Sequence, residues 1–371
     1  MAEKTRVLVA GAGTIGQSIG AMLTASGAYD VTIADHDDTA LERTTPAHAA
    51  KTLRLDLADT AALKQALDGQ FAVLSALPFY LTTGLAEAAA EAGVHYLDLT
   101  EDVASTKAVR VLAETADSAF IPQCGLAPGF VSIVAFDLAT HFDSLDSLRM
   151  RVGALPQYPS NALNYNLTWS TDGVINEYIE PCEAVVDGRR REVSALGDLE
   201  EFSLDGVRFE AFNTSGGLGS LCDTLDGNVR MLNYKTIRYP GHCFIMKALL
   251  NDLGLRNRRD LLRDILVNAI PATHQDVVVI FVTATGDRNG VFLQETFARK
   301  VHGRNLNGVD FSAIQLTTAA GICGALDLLA NGELPSRGLI RQEDIRLGAF
   351  LANRFGAYYA DPELSEQVKV A

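Results

Sequence analysis

No apolar run in this 371-residue chain approaches the roughly 18–20 residues that a membrane-spanning helix needs. No charged segment leads into an apolar one at its start. The expectation is a cytoplasmic chain that works off the membrane. Cysteine is sparse: Cys124, Cys182, Cys222, Cys243 and Cys323 are odd in number and show no C-x-x-C spacing. That argues against a disulfide framework and a zinc knuckle, and no metal site is expected. Cations are outnumbered, 31 Lys and Arg against 46 Asp and Glu, for a net charge of −15. Nucleic acid is therefore an unfavourable partner, because neutralising phosphates takes clustered Lys and Arg. Against these absences stands an ordinary globular composition, 48% hydrophobic and 21% charged, at a length natural for two domains.

The strongest local pattern runs from Arg6 to Gly20, RVLVAGAGTIGQSIG. A β-branched apolar strand leads into Gly11, Gly13 and Gly16 and then into a helical pattern, the start of a dinucleotide-binding unit. Gly11 permits the turn, Gly13 lets the backbone approach a pyrophosphate, and Gly16 lets the helix pack on the strand. Thr14 and Ile15 open the helix, whose N-terminus offers N–H groups and partial positive charge to phosphates. Val31–Asp35 reads as the second strand, ending in Asp35 about 20 residues beyond the glycines, where a carboxylate accepts from ribose hydroxyls and repels a 2′-phosphate. His36, Asp37 and Asp38 supply no arginine, so NAD is favoured over NADP.

Strands and helices then alternate. Lys51–Leu55 is a third strand, and two roles fit Asp56 after it: contact with the adenine, or a cap on the helix Thr60–Leu67. Phe71–Ala76 reads as a buried central strand. Ala76, Leu77 and Pro78 at its carboxyl end are assigned to the cofactor and Tyr80 to the substrate, with Phe79 as a packed aromatic and a helix over Thr82–Ala92. Val94–Leu99 ends near Asp98, Glu101 and Asp102; Asp98 is assigned to the cofactor and Glu101 to the substrate, while Thr100 or Glu101 could cap the helix Val103–Ala116. Ala119–Gln123 closes the pattern with CGLAPGF, where Gly125 and Pro128 form a hinge at the cofactor site and aim the helix Phe130–Thr140 at the nicotinamide.

Beyond that hinge the period changes. Leu148–Gly153, Glu183–Val186, Arg208–Phe212, Val277–Thr285 and Phe292–Val301 alternate as strands, with hairpin turns at Asp187-Gly188, Asp205-Gly206 and Asn289-Gly290. Ala313–Leu329 and Asp344–Phe355 return to helix. The expected class is α/β, a Rossmann-type doubly wound parallel sheet with an inserted α+β catalytic domain. The expected domains are a dinucleotide-binding one (1–128), a substrate, catalytic and dimerisation one (129–312), and C-terminal helices (313–371) that pack back on the first.

Two stretches carry more polar and aromatic chemistry than a core needs. In Asn164–Asp172, the only tryptophan, Trp169, sits among amides and hydroxyls with Tyr165 and Asp172, a composition suited to orienting an amino acid. In Glu210–His242, Thr214 and Ser215 open a glycine-rich, flexible loop with exposed N–H groups for a carboxylate, and Lys235, Arg238 and His242 concentrate cationic character. Arg238 can grip a carboxylate bidentately. Hydride removal beside an amine leaves an iminium that an activated water must attack, and His242 and Lys235 are the acid/base candidates. The alternation of Tyr234, Thr236 and Arg238 also suits one face of a strand.

GAGTIG, CGLAPGF, EAFNTSGGLGSL and YKTIRYPGH, in this order and spacing, resemble the saccharopine dehydrogenase / lysine 6-dehydrogenase family. The resemblance implies NAD(P)-linked oxidation of a C–N bond in a lysine-derived amino acid, and a homodimer. Saccharopine has three carboxylates, for which Arg238, Lys235 and Arg230 are candidate anchors. Free lysine needs one anchor plus an acid for its far ammonium, from Asp98, Glu101 or Asp172. A non-catalytic NAD-binding sensor is the alternative of another class.

Overall fold

The computed structural model describes residues 4–44 and 50–360; residues 361–371 of the expected C-terminal segment lie outside the described residues. The chain divides into two compact units. One holds the described residues through Ile133, the hairpin Arg304–Phe311 and the chain from Gln315 onward; the other holds Val134–Gly303 and Ser312–Ile314.

In the first unit, strands β1 (Thr5–Ala10), β2 (Tyr29–Asp35), β3 (Lys51–Arg54), β4 (Ala72–Ser75), β5 (His95–Asp98) and β6 (Ala119–Ile121) join the short edge strand Gly338–Leu339 in a seven-stranded sheet. Its order is Gly338–Leu339, β6, β5, β4, β1, β2, β3, and every pair is parallel. Val7, Leu8 and Val9 of β1 and Val73 and Leu74 of β4 are completely buried, which is why these strands read as apolar runs. The strand order reverses between β1 and β4, and the carboxyl ends flanking such a reversal form the ligand crevice of open α/β sheets.

Several boundaries differ from expectation. The helix after β4 begins at Phe79, with Pro78 as its N-cap, so Phe79 and Tyr80 are in its first turn, 41% and 71% exposed; the Phe79 ring meets Tyr80 edge-on at 5.8 Å and is not buried in the core. Asp102 caps the helix Val103–Ala113 through Ser105 N–H; neither Thr100 nor Glu101 does. Asp59 caps Thr60–Leu67, whereas Asp56 accepts from Ala58 N–H within its own turn, which removes its capping role. In the two capping cases polar residues close in sequence compete for the same amides.

The C-terminal helix Ala313–Ala330 is long and apolar enough to cross a membrane, but 83% of it is buried inside the structure, as in a core helix. The segment after it is not one helix: a 3₁₀ turn at Gln342–Asp344 is followed by Leu347–Ala352 and a second 3₁₀ turn at Gly356–Tyr359. Tyr359 stacks on Phe130 with ring centroids 3.8 Å apart, and Asp327 accepts from both Tyr29 and Arg354.

The second unit is built on β7 (Ser144–Pro156), β8 (Cys182–Val186), β9 (Arg189–Val193), β10 (Glu200–Leu204), β11 (Val207–Asn213), β12 (Val229–Arg238), β13 (Asp276–Arg288) and β14 (Val291–His302). The order is β10, β11, β12, β7, β13, β14, with the β8–β9 hairpin attached to β12. Only the β7–β12 pairing is parallel. The three expected turns are present: Asp187, Asp205 and Asn289 and the glycine after each have positive φ, the backbone of two-residue hairpin loops that match strand twist. On one face the helices Thr171–Ile179, His242–Lys247 and Arg259–Ala269 cover the sheet through Tyr178, Phe212, Met246 and Leu262. On the other, Leu155, Phe209, Ile237 and Val279 form a separate cluster.

Candidate active site

At the end of β1, Gly11 adopts φ +105°, and a Cβ there would lie 2.7 Å from the Ala76 carbonyl oxygen. A Cβ at Gly16 would lie 1.8 Å from the Gly11 carbonyl oxygen. The turn, the helix Thr14–Ala25 and the end of β4 thus approach one another more closely than any other residue allows, and Ala76 and Leu77 line the contact. Gly13 is the helix N-cap and has no side-chain capping bond; a Cβ on it would meet nothing within 4 Å. The amides of Thr14 and Ile15 therefore open the helix beside free space, a cradle that fits a pyrophosphate.

Asp35 is tied to this turn. Its Oδ2 accepts from Ala12 N–H at 2.7 Å and its Oδ1 from Asp37 N–H at 3.0 Å. Burial alone would raise its pKa, but these amides and neighbouring His36 outweigh it and hold the carboxyl below its usual range. The site therefore presents a carboxylate at neutral pH. Strand pairing adds what reading along the chain missed: Arg54 of β3 stands in register with Asp35, its Nε 3.4 Å from Asp38.

Asp98 is fully buried at the end of β5 and accepts from Gln123 N–H, Thr100 N–H and the Tyr96 hydroxyl at 2.8, 3.1 and 3.0 Å. Burial pushes its pKa up to about 6 against those donors, and burial likewise raises that of Glu101. In the CGLAPGF loop the Ala127–Pro128 bond is cis. The amides of Phe130 and Val131 donate to the Gly125 and Leu126 carbonyls. Those leading amides of the helix Phe130–Ala139 are spent on its own loop, so they are not offered to a nicotinamide as expected.

In the second unit, β12 carries Lys235 and Arg238. Strand parity places them on opposite faces, so they do not form the single cluster expected. Lys235 is buried and closed: its Nζ donates to the Asp198 carbonyl at 2.6 Å and pairs with the Asp198 and Glu200 carboxylates at 2.8 and 3.4 Å. Glu200 also pairs with Arg151, directly opposite Lys235 on β7. A lysine so held is not placed as an acid or base. Arg230 is at the surface, paired with Asp146, and is not a third anchor.

Arg238 is different. It is 2% exposed, yet its hydrogen bonds reach only neutral acceptors, from Nε to the Tyr178 hydroxyl at 2.8 Å and from Nη1 to the Ile237 carbonyl at 2.9 Å. Its guanidinium carbon lies 4.9 Å from the Tyr165 ring centroid. Burial opposes its charge, but Tyr178, Tyr165 and Glu177 more than compensate, so it stays protonated. Among the described residues no carboxylate makes an ion pair with it, although buried Glu177 acts on it electrostatically; a buried cation without a direct partner is costly, and an arriving carboxylate would supply one. The Tyr165 hydroxyl is buried, with the Thr168 and Trp169 side chains as its neighbours.

His242 touches the same group but not in the expected role. Tyr178 donates to its Nε2 at 3.0 Å, and its Nδ1 donates to the Leu163 carbonyl at 2.9 Å. Burial, reinforced by Arg238, pushes its pKa down to about 3. It is neutral across the physiological range and does not titrate near neutrality. Nor is the Thr214–Gly217 segment an exposed flexible loop: Thr214, Ser215 and Gly217 are buried, and a Cβ on Gly217 would strike the Tyr234 ring at 2.2 Å. The Thr214 hydroxyl is nonetheless buried without a partner. Asp172 is exposed and paired with Arg263. Trp169 packs its ring on Gly173 in the first turn of the helix Thr171–Ile179. Tyr178, the residue that links Arg238 to His242, went unnoticed along the chain; its only signal is a place on the apolar face of that helix.

A parallel Rossmann sheet with a glycine cradle and an ionised acid at the end of its second strand is the architecture of a dinucleotide-binding protein, and the second sheet adds a buried arginine whose hydrogen bonds reach only neutral acceptors. Residues 7–121 match the saccharopine dehydrogenase NADP binding domain and residues 125–352 the saccharopine dehydrogenase C-terminal domain. The chain belongs to the saccharopine dehydrogenase family. It is 23% identical over 327 residues to the mitochondrial alpha-aminoadipic semialdehyde synthase of Bos taurus, covering 82% of this chain and 34% of that protein. To the Mus musculus protein of the same name it is 23% identical over 270 residues, covering 70% and 29%. The chain thus spans about a third of the length of these curated relatives. Its fold is similar to that of apo histidine-tagged saccharopine dehydrogenase (L-Glu forming) from Saccharomyces cerevisiae, with a TM-score of 0.77 at 16% identity over 98% of each chain.

Proposed function

We propose that this chain oxidises the C–N bond of a lysine-derived amino acid, with saccharopine as the substrate and a substrate carboxylate on Arg238. The observation that carries the reading is the buried guanidinium with no carboxylate ion-paired to it among the described residues. The bound nicotinamide would supply the hydride acceptor, and hydrolysis of the resulting iminium would release glutamate and an aldehyde. Lysine oxidised at its ε-amine is the second reading, favoured by one fact: Lys235 and Arg230 are already paired, and lysine needs a single carboxylate anchor. The two separate by product. Purified protein incubated with nicotinamide cofactor and each amino acid should form reduced cofactor with saccharopine and release glutamate; ammonium from lysine alone would overturn the first reading. Reduced cofactor with neither would favour binding without turnover.

For the cofactor, the Asp35 carboxylate supports NAD through two ribose hydroxyls and repulsion of a 2′-phosphate. The name of the matching domain points instead to NADP, and Arg54 in register with Asp35 gives that alternative a cation. Asp35→Ala should weaken NAD by about tenfold or more, the range for hydrogen bonds to a charged group, and should lower the NAD/NADP preference. Because Asp35 also holds Ala12, the ratio of the two affinities is the measurement to make. An unchanged ratio in a cofactor titration would contradict the ribose role.

A further inference from the structure

The hydrogen bonds behind Arg238 have only one possible direction. An arginine Nε–H can only donate, so the Tyr178 oxygen accepts. A carbonyl can only accept, so His242 carries its proton on Nδ1, facing Leu163, and presents a lone pair on Nε2. The Tyr178 proton must then point to His242. The run is Arg238 to Tyr178 to His242 to the Leu163 carbonyl, at 2.8, 3.0 and 2.9 Å.

We propose that Tyr178 and His242 are positioning residues for the substrate carboxylate, a neutral relay that fixes the Arg238 guanidinium against Tyr165. This rests on the carboxylate reading of Arg238 given above. The imidazole is held on every side. The Phe212 ring lies parallel to it at 6.2 Å and Tyr165 edge-on at 5.4 Å. Glu210, opposite Arg238 on β11, accepts from Gly241 N–H and Cys243 N–H at 2.8 and 2.6 Å and so anchors the turn that carries His242. A second proton on His242 would put two donors face to face at Tyr178 and a second cation beside Arg238. The relay works only with neutral histidine, which is the form that burial and Arg238 enforce. Without Tyr178 the guanidinium loses the partner that sets its Nε direction, and a bidentate grip depends on that angle.

The test combines equilibrium dialysis of labelled saccharopine and lysine with steady-state kinetics, on wild type, Arg238→Met, Tyr178→Phe, His242→Leu and His242→Gln, each checked for cooperative melting. Tyr178→Phe and His242→Leu should weaken amino-acid binding and raise KM by about tenfold, the loss expected for one buried hydrogen bond, with kcat changed far less and cofactor affinity unaltered. His242→Gln, whose side-chain oxygen can accept from Tyr178, should recover most of the affinity. If Arg238→Met abolishes binding while Tyr178→Phe and His242→Leu bind as wild type does, the relay is wrong and the carboxylate reading stands. If Arg238→Met binds normally, or wild type binds neither amino acid, both fail. A fall confined to kcat in His242→Gln, with loss of a pH limb near neutrality, would make His242 an acid/base and overturn the relay.

Discussion

Arg238→Met should leave the second unit folded and remove amino-acid binding. Truncating one partner of a buried charge-assisted contact costs roughly 2–5 kcal/mol, or about thirtyfold to several-thousandfold in affinity. The loss should appear in KM for the amino acid and in kcat/KM, with the cofactor dissociation constant unchanged. Folding is expected to hold because, among the described residues, no carboxylate is ion-paired with this guanidinium; the electrostatic support it exchanges with buried Glu177 is lost, so a modest fall in melting temperature is expected. The exposed alternative gives the contrast: Arg230→Met loses a surface pair with Asp146 and should leave KM where it is. Steady-state kinetics of the two variants side by side, with thermal melts, check both statements.

Gly16→Ala is the other large effect, and it belongs to the first unit. The added Cβ would lie 1.8 Å from the Gly11 carbonyl oxygen and 2.9 Å from its carbonyl carbon. Backbone at that point cannot yield as a flexible side chain would, so the helix Thr14–Ala25 must move off the turn. Overpacking of this kind costs about 1–3 kcal/mol and sometimes more, and here it also displaces the amides that cradle the pyrophosphate. Cofactor affinity should fall more than tenfold and the melting temperature should drop. Gly13→Ala separates the two consequences. Its Cβ meets nothing within 4 Å and its φ of −67° suits any residue, so the fold should be untouched while a methyl group intrudes where the pyrophosphate would lie. Melting curves and cofactor titrations of both variants distinguish a packing glycine from an approach glycine. Equal melting temperatures for Gly16→Ala and wild type would contradict the close packing.

The parts of this molecule legible in the sequence are those whose cause is local. The glycine turn, Asp35 and the three hairpin turns follow from backbone angles and short spacings, and all lie where local chemistry puts them. The caps were misplaced for an equally local reason: Asp56 and Asp59, or Thr100, Glu101 and Asp102, are near-equivalent acceptors, and only the three-dimensional course of the chain selects one. The anchor site was legible in composition but not in geometry. Lys235, Arg238 and His242 were grouped by proximity along the chain, whereas taking Val229–Arg238 as a strand separates Lys235 from Arg238 by parity alone. Tyr178, 60 residues from Arg238 and 64 from His242, could not be found by spacing. Its role exists only because the helix Thr171–Ile179 lies on the same face of the sheet as the Arg238 side chain. Burial, too, is a property of the fold, and it turned His242 from a candidate base into a neutral acceptor.

The most direct measurement is the ratio of products from wild-type protein supplied with saccharopine and nicotinamide cofactor. Saccharopine oxidation anchored on Arg238 predicts glutamate and reduced cofactor in equimolar amounts, both lost together in Arg238→Met. Reduced cofactor without glutamate, or undiminished turnover in Arg238→Met, would contradict it.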